Sequence, residues 1–154
     1  MSDHAIRNSM KAIIIENNQV LFINCADQEG DFYIFPGGGQ EFLEEAKHTV
    51  RRECIEEIGF DVDVHEVLFM REYIGANHEF SNFDHDVHQV ETYFRCSLRT
   101  QVSKPAQPDT DQIGVEWLII DDLEQYRIYP KALIQPLQAS VAGLSYPLYL
   151  GDVN

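Results

Sequence analysis

The first part of this chain carries short runs of apolar residues, of the length typical of β-strands. The apolar runs 12–15 and 20–23 are separated by a short Asn-rich segment, which predicts a β-hairpin with a tight turn. A third strand is predicted at 31–35 and ends at a proline followed by three glycines, which let the backbone approach another group closely. Further strands are predicted at 62–73, 87–98 and 115–120, with polar loops at 75–86 and 100–112.

Between residues 43 and 58 the apolar residues recur with the period of an α-helix. Gly59 stands directly after this segment, where a C-terminal glycine cap is typical. A last helix is predicted from Pro130 to Ala142, because proline suits the first turn of a helix. In the first helix, the positions expected to face the core are Leu43, Ala46, Val50, Cys54 and Ile58.

These elements predict one domain over residues 1–154, of the α/β (α+β) class, with a mixed sheet covered by helices. Hydrophobic residues make up 44% of the chain and charged residues 24%, as in soluble globular proteins. The apolar runs are too short to cross a membrane, and the N-terminal residues do not resemble a signal peptide. The sequence therefore predicts a cytoplasmic protein without a membrane partner.

The formal net charge of −15 restricts the possible partners. Binding to nucleic acid or to an anionic lipid surface usually requires clustered lysines and arginines, so the charge argues against both. A polyanionic small molecule could still bind if metal ions neutralised the approach. Any phosphate chemistry in this protein is therefore expected to depend on a cation.

Three glutamates crowd one flank of the first predicted helix. At about 100° per residue, Glu53 and Glu57 lie about 40° apart, and Glu56 lies about 60° to the other side of Glu53. Like charges at this spacing repel one another, which a purely structural helix has no reason to accept. Magnesium prefers oxygen ligands and retains several waters, so a few carboxylates together with substrate phosphates suit it.

The glycine turn directly before the helix can complete such a site. Gly37, Gly38 and Gly39 can offer carbonyl oxygens to a metal or amides to a phosphate. Arg52 adds a positive charge beside the acidic flank and lies about two helical turns from Glu44. An ion pair between Arg52 and Glu44 would hold the turn against the helix.

The residues from Gly38 to Phe60 read GGQEFLEEAKHTVRRECIEEIGF, and this run resembles the Nudix box. Cys54 is a soft departure, because a larger aliphatic residue is usual at its position. Pro36 ahead of the glycines and the Glu116-Trp117 pair in a late strand extend the resemblance beyond the box. The matching box residues are Gly38, Glu44, Arg52, Glu53, Cys54, Glu56, Glu57, Gly59 and Phe60.

The resemblance implies an α/β/α sandwich that hydrolyses the diphosphate linkage of a small nucleotide substrate with Mg²⁺ or Mn²⁺. By position in the box, it implies that Glu53, Glu56 and Glu57 are metal ligands, with a carbonyl near Gly37 as a further ligand. Glu44 and Arg52 would support the geometry of the loop and helix. The catalytic set expected on this basis is Arg52, Glu53, Glu56, Glu57 and Glu91.

Several assignments stay open at the level of the sequence. The general base that takes the proton of the attacking water could be Glu53, Glu91 or Glu79. The polar segment His78 to His88 could contact substrate, bind a second metal, or have no role. Arg7 could reach a phosphate, although a plain surface arginine is the simpler interpretation.

Two other functions are compatible with the same fold. A nucleotide-sensing domain that binds without cleaving usually has a damaged box, and here the box is intact. An isomerase acting on a prenyl diphosphate would bring its own motifs, which are not seen. Nucleoside triphosphates, nucleotide sugars, oxidised nucleotides and ADP-ribose all remain open as substrates. Tyr126, Tyr129, Tyr146 and Tyr149 could line the interface of a homodimer, and a packed C-terminal helix would explain them as well.

Overall fold

The computed structural model describes residues 4–102 and 112–154. Within them, the strands join in one mixed sheet of order β8-β3-β2-β1-β6-β5-β9, with β4 added to β1 and β7 added to β2. The strands are β1 (Arg7–Glu16), β2 (Gln19–Asp27), β3 (Gly30–Ile34), β4 (Gly37–Gly39), β5 (Phe60–Ile74), β6 (His88–Gln101), β7 (Gln112–Ile119), β8 (Ile128–Tyr129) and β9 (Tyr149–Asp152). The helices are α1 (Ala46–Ile58), α2 (Ser81–Asp84) and α3 (Ile134–Val141), with 3₁₀ turns at Gly75–Asn77, Ile120–Gln125 and Lys131–Leu133.

The central strand β1 carries apolar residues on both faces, as a strand covered on both sides must. Ala12 and Ile14 point into a core that also contains Val50, Cys54 and other residues from α1. Ile13 points into the opposite core, which contains residues from α3 and the 3₁₀ turns. The predicted class, a mixed sheet between helical layers, is therefore confirmed.

The predicted hairpin between the first two strands is confirmed. Asn17 and Asn18 have φ values of 50° and 59°, so both central residues of the turn lie in the left-handed region. This is the geometry of a type I′ turn, which matches the twist of two antiparallel strands and favours Asn. Glu16 pairs with Gln19 directly beside the turn, and Ile15 with Val20 next to them.

The first helix begins later than predicted, at Ala46 rather than at residue 43. The prediction that Leu43 faces the core is wrong, because its side chain is 90% exposed and its φ is +67°. The chain turns at this point because the side chain of Glu44 accepts hydrogen bonds from the Glu41 amide and the Thr49 hydroxyl. The predicted end is confirmed, with Gly59 at φ +74° donating from its amide to the Ile55 carbonyl at 3.1 Å.

Other boundaries also differ from the sequence-based predictions. The predicted loop 75–86 contains a 3₁₀ turn and the short helix α2, and the predicted helix 130–142 divides into a 3₁₀ turn and α3. Of the predicted loop 100–112, residues 103–111 lie outside the described residues, while β6 extends to Gln101. Strands β4, β8 and β9 were not predicted, because each is too short to show a period of its own.

A search of the described residues for membrane-spanning segments gives a negative result. No helix among them has both the length and the apolar character needed to cross a bilayer.

Candidate active site

Strand β4 brings the three glycines against helix α1. Gly38 pairs with Met10 of β1, and a Cβ atom at residue 38 would stand 2.5 Å from the carboxyl carbon of Glu53. At residue 37 a Cβ atom would stand 2.1 Å from the Met10 carbonyl oxygen, and φ there is +138°. Only glycine allows the backbone to lie this close to the strand on one side and the helix on the other.

Two of the box glutamates meet at this glycine strand. Glu57 is 6% exposed, and its carboxylate accepts a hydrogen bond from the Gly37 amide at 3.2 Å. Burial raises the pKa of Glu57 most strongly, the nearby Lys11 opposes that rise, and contact with Glu53 adds to it, giving a pKa of about 8. Two carboxyl groups sharing one water-poor site favour binding of a cation.

Arg52 ties the glycine strand, the preceding turn and the helix together. Its guanidinium donates to both carboxylate oxygens of Glu44, at 2.8 and 3.0 Å, and to the Gly39 carbonyl at 3.1 Å. It also contacts Glu53 at 3.0 Å and Glu56 at 3.5 Å. The predicted ion pair with Glu44 is therefore confirmed.

The ion pair between Glu44 and Arg52 should contribute more to activity than the side chain of the neighbouring Glu45 does. We expect Glu44→Gln to lower kcat about tenfold, because the bidentate, charge-assisted contact that fixes Arg52 is lost. Glu45→Gln is the matched control, since the exposed Glu45 side chain makes none of these contacts with Arg52. Equal kcat values for the two variants would contradict this role.

The same pair should also contribute to stability in a pH-dependent way. Arg52, Thr49 and the Glu41 amide hold the pKa of Glu44 at about 2, below its ordinary value of 4.5. A carboxyl whose folded-state pKa is lowered stabilises the fold above the ordinary pKa and loses that effect as the pH falls toward the folded value. The difference in Tm between wild type and Glu44→Gln should therefore shrink as the pH falls from 4.5 toward 2.

The donors around β4 suit a hard divalent cation. Glu53 and Glu57 supply carboxylate oxygens from successive turns of α1, which is the chemistry that Mg²⁺ and Mn²⁺ prefer. The third predicted ligand, Glu56, has a side chain that is 47% exposed and faces Arg52. In the described part of the chain, no three His, Cys, Asp or Glu side chains lie close enough together to hold a metal ion. The structure thus brings two of the three predicted ligands together and leaves the third on the rim.

Glu91 lies deep in the sheet rather than on the surface of the site. Its carboxylate accepts hydrogen bonds from the Arg71 guanidinium at 2.7 Å and from the Tyr93 hydroxyl. Burial alone would raise the pKa of Glu91, but Lys11 and Arg71, with the two hydrogen bonds, outweigh it and hold the pKa below its ordinary value. Glu91 is therefore a fixed, ionised carboxylate.

Sequence reasoning missed Lys11 as a residue of this region. Its ammonium group lowers the pKa of both Glu57 and Glu91, so it lies within electrostatic reach of the two. It also lies 3.5 Å from the Phe35 carbonyl oxygen. The only available signal was a lysine in the first strand of an acidic chain, and that signal does not show which carboxylates lie near it.

The segment His78 to His88 is tied to the strands around it. His78 stacks on Tyr73 and lies 2.6 Å from a carboxylate oxygen of Asp152, and His88 lies 3.0 Å from Glu72. Glu79 is exposed and accepts a hydrogen bond from Asn154. These side chains are engaged by other groups, and the described residues of the segment do not bring three metal-ligating side chains together, so the structure gives no support to the second metal site considered from the sequence.

Comparison with known proteins adds an independent line of evidence. The family described as "NUDIX domain" matches residues 6–136 of this chain. No curated protein sequence matches it.

Solved structures share the fold. A NUDIX hydrolase from Nitrosomonas europaea is 18% identical, with 94% of each chain covered and a TM-score of 0.73. A UDP-X diphosphatase is 20% identical, covering 96% of this chain and 68% of its own, with a TM-score of 0.68. An ADP-ribose pyrophosphatase from Streptococcus suis is 18% identical, covering 97% and 100%, with a TM-score of 0.62. At these identities the three likenesses establish the fold.

Proposed function

Because this chain belongs to the NUDIX family of hydrolases, we propose that it hydrolyses the diphosphate linkage of a nucleoside diphosphate derivative in a reaction that depends on Mg²⁺ or Mn²⁺. The observation that carries the proposal is the contact between Glu53 and the buried Glu57 against the glycine strand β4. The intact pair of Glu44 and Arg52 supports a working enzyme over a nucleotide sensor, since it keeps this strand against the helix.

The residues of the site divide into ligands and supports. Glu53 and Glu57 would hold the cation, with Glu56 on the rim as the third ligand that the Nudix box implies. Arg52 would keep the Gly39 carbonyl and the helix in register. A bound cation would supply polarisation of the phosphoryl oxygens, activation of a water and neutralisation of the leaving phosphate. Because Glu57 is buried, its own electrostatic contacts are stronger than they would be in water.

Among the three candidate bases, the geometry favours Glu53 for taking the proton of the attacking water. Glu91 is buried, and its carboxylate is engaged by Arg71 and Tyr93, which leaves it poorly placed to accept a further proton. Glu79 is exposed and held by Asn154. Glu53 lies directly against Gly38 and beside Glu57. It is contacted by Arg52 at 3.0 Å, but its side chain is 16% exposed, against 8% for that of Glu91.

The proposed class of substrate follows from the family and from the names of proteins of similar fold. The structures of similar fold include proteins described as an ADP-ribose pyrophosphatase and as a UDP-X diphosphatase. Both names describe a nucleoside diphosphate joined to another group. We therefore propose the same class for this chain, with small-molecule nucleotides rather than nucleic acid as partners, in keeping with its net charge of −15.

A substrate panel tests the proposal. We expect release of a nucleoside monophosphate or of inorganic phosphate from at least one of ADP-ribose, UDP-glucose, dGTP and dinucleoside polyphosphates, in the presence of Mg²⁺ or Mn²⁺. Chelation of the metal with EDTA should reduce the rate to background, and restored Mg²⁺ should recover it. Tight binding of a nucleotide with no product over the panel would favour the sensor instead.

A further inference from the structure

Arg7 stands apart from the other arginines of this chain. All seven arginines lie in the described ranges, and six of them form ion pairs with carboxylates. Arg7 has no ion-pair partner among the residues that the structure describes, although the chain carries a net charge of −15. In so acidic a protein, an arginine without a carboxylate partner is one whose charge is left available for another anion.

The Arg7 side chain lies over the glycine strand. Its Nε and Nη2 atoms are 3.0 and 3.2 Å from the position that a Cβ atom on residue 39 would take. Gly39 therefore leaves open the space that the guanidinium uses. Gly39 is two residues, about 7 Å, from Gly37 along β4. Because the Gly37 amide donates to Glu57, Arg7 and Glu57 both contact residues of this one short strand.

The face of the sheet on which Arg7 lies is locally cationic. Alternate residues of β1 point to one face, so Arg7 and Lys11 lie on the same side, beside the Glu91 and Arg71 pair of the next strands. Arg71 already donates to Glu91 and to the Val153 carbonyl. Arg7 and Lys11 thus bring two positive charges to a face on which Glu91 is already paired with Arg71.

We propose that Arg7 binds a phosphate of the substrate, beside the phosphate that the carboxylate site handles. This inference rests on the proposed function and names a residue that positions the phosphate chain. A guanidinium presents two parallel N–H donors, which match a phosphate better than a single ammonium does. The exposed position of Arg7 lets it meet the ligand without first breaking an ion pair.

Steady-state kinetics on the best substrate of the panel test this role. We expect Arg7→Ala to raise KM about tenfold or more, with kcat changed by less than about threefold, and Arg7→Lys to recover part of the loss. Arg95→Ala is the matched control, because Arg95 is an exposed arginine paired with Glu66 on the other strands. Its KM should stay near that of wild type.

A second variant separates a phosphate contact from a general effect of charge. Gly39→Ala places a methyl group against the Arg7 guanidinium and displaces it without removing its charge. It should raise KM in the wild-type background and have little further effect in Arg7→Ala, because the two changes act on one contact. Additive effects in the double variant would contradict the proposal.

A direct binding measurement tests the role of Arg7 independently of whether the protein hydrolyses a substrate. The probe is α,β-methylene-ADP with Mg²⁺, a diphosphate that cannot be hydrolysed at the bridge, titrated by calorimetry. Arg7→Ala should weaken its binding about tenfold relative to Arg95→Ala, whether or not any substrate is turned over. Equal affinities of the two variants would overturn the role of Arg7, even if wild type hydrolyses its substrate.

Discussion

Glu53→Gln is expected to lower kcat by at least about 100-fold while the protein stays folded. The substitution keeps the shape of the side chain and removes the charge that would hold the cation and take the proton, and general-base catalysis alone contributes about 10²- to 10⁴-fold. Glu57→Gln should have a comparable effect, because Glu57 is the buried member of the same pair. The measurement is kcat at saturating Mg²⁺, with circular dichroism to confirm the fold.

Measurements of Tm with and without Mg²⁺ distinguish loss of metal binding from loss of the fold. Wild type should gain stability as Mg²⁺ is added, because a ligand that binds only the folded state raises Tm. Glu53→Gln and Glu57→Gln should keep a metal-free Tm close to that of wild type and lose most of the gain with Mg²⁺. Glu66→Gln, the same change at an exposed residue outside α1, is the control and should behave as wild type. Near-normal kcat in both site variants would refute the assignment.

Comparison of Glu91→Gln with Glu53→Gln tests whether Glu53 is the general base. If Glu53 takes the proton, Glu91→Gln should lower kcat less than Glu53→Gln does. It should also lower Tm more, because it leaves the buried Arg71 without its carboxylate partner. The reverse ranking would assign the base to Glu91.

The residues of the candidate site that lie close together in the sequence could be predicted from it. The helical period places Glu53 and Glu57 on one flank, and the interval to Glu44 indicates the ion pair with Arg52 that the structure contains. Local geometry is enough for these residues, because a helix fixes the relative position of side chains three, four and eight residues apart.

The buried network around Glu91 was not predictable in the same way. Lys11, Arg71 and Tyr93 come from three strands that are distant in sequence, and they meet only through the register of β1 with β6 and of β6 with β5. A shift of one residue in either register would turn these side chains to the other face. Nothing in the alternation of a single strand specifies that register.

The start of α1 shows how a polar contact can override an apolar period. Leu43 has the correct spacing for the core, but the carboxylate of Glu44 is engaged by Arg52, Thr49 and the Glu41 amide. These contacts stabilise a turn at residues 41–44, and the helix can begin only after it. Spacing therefore predicted the buried face of α1 and failed at its first position.

Substitutions at Gly37 and Gly38 should differ in their effects on stability and on activity. Gly37→Ala would place a Cβ atom 2.1 Å from the Met10 carbonyl oxygen of the neighbouring strand, at a φ of +138° that alanine rarely adopts. The backbone has to move, so β4 should separate from β1. We expect a loss of about 2 kcal/mol or more in the free energy of unfolding, together with loss of activity.

Gly38→Ala should cost activity with much less loss of stability. Its Cβ atom would stand 2.5 Å from the carboxyl carbon and Oε1 of Glu53, so that side chain has to swing away from β4 while the backbone stays in place. A displacement of about 1 Å in a reacting group can cost about 100-fold in rate, so kcat should fall by about that factor. The measurements are kcat and Tm for both variants. If Gly38→Ala kept wild-type kcat, Glu53 would not need its place against β4, and the site would have to be centred elsewhere on α1.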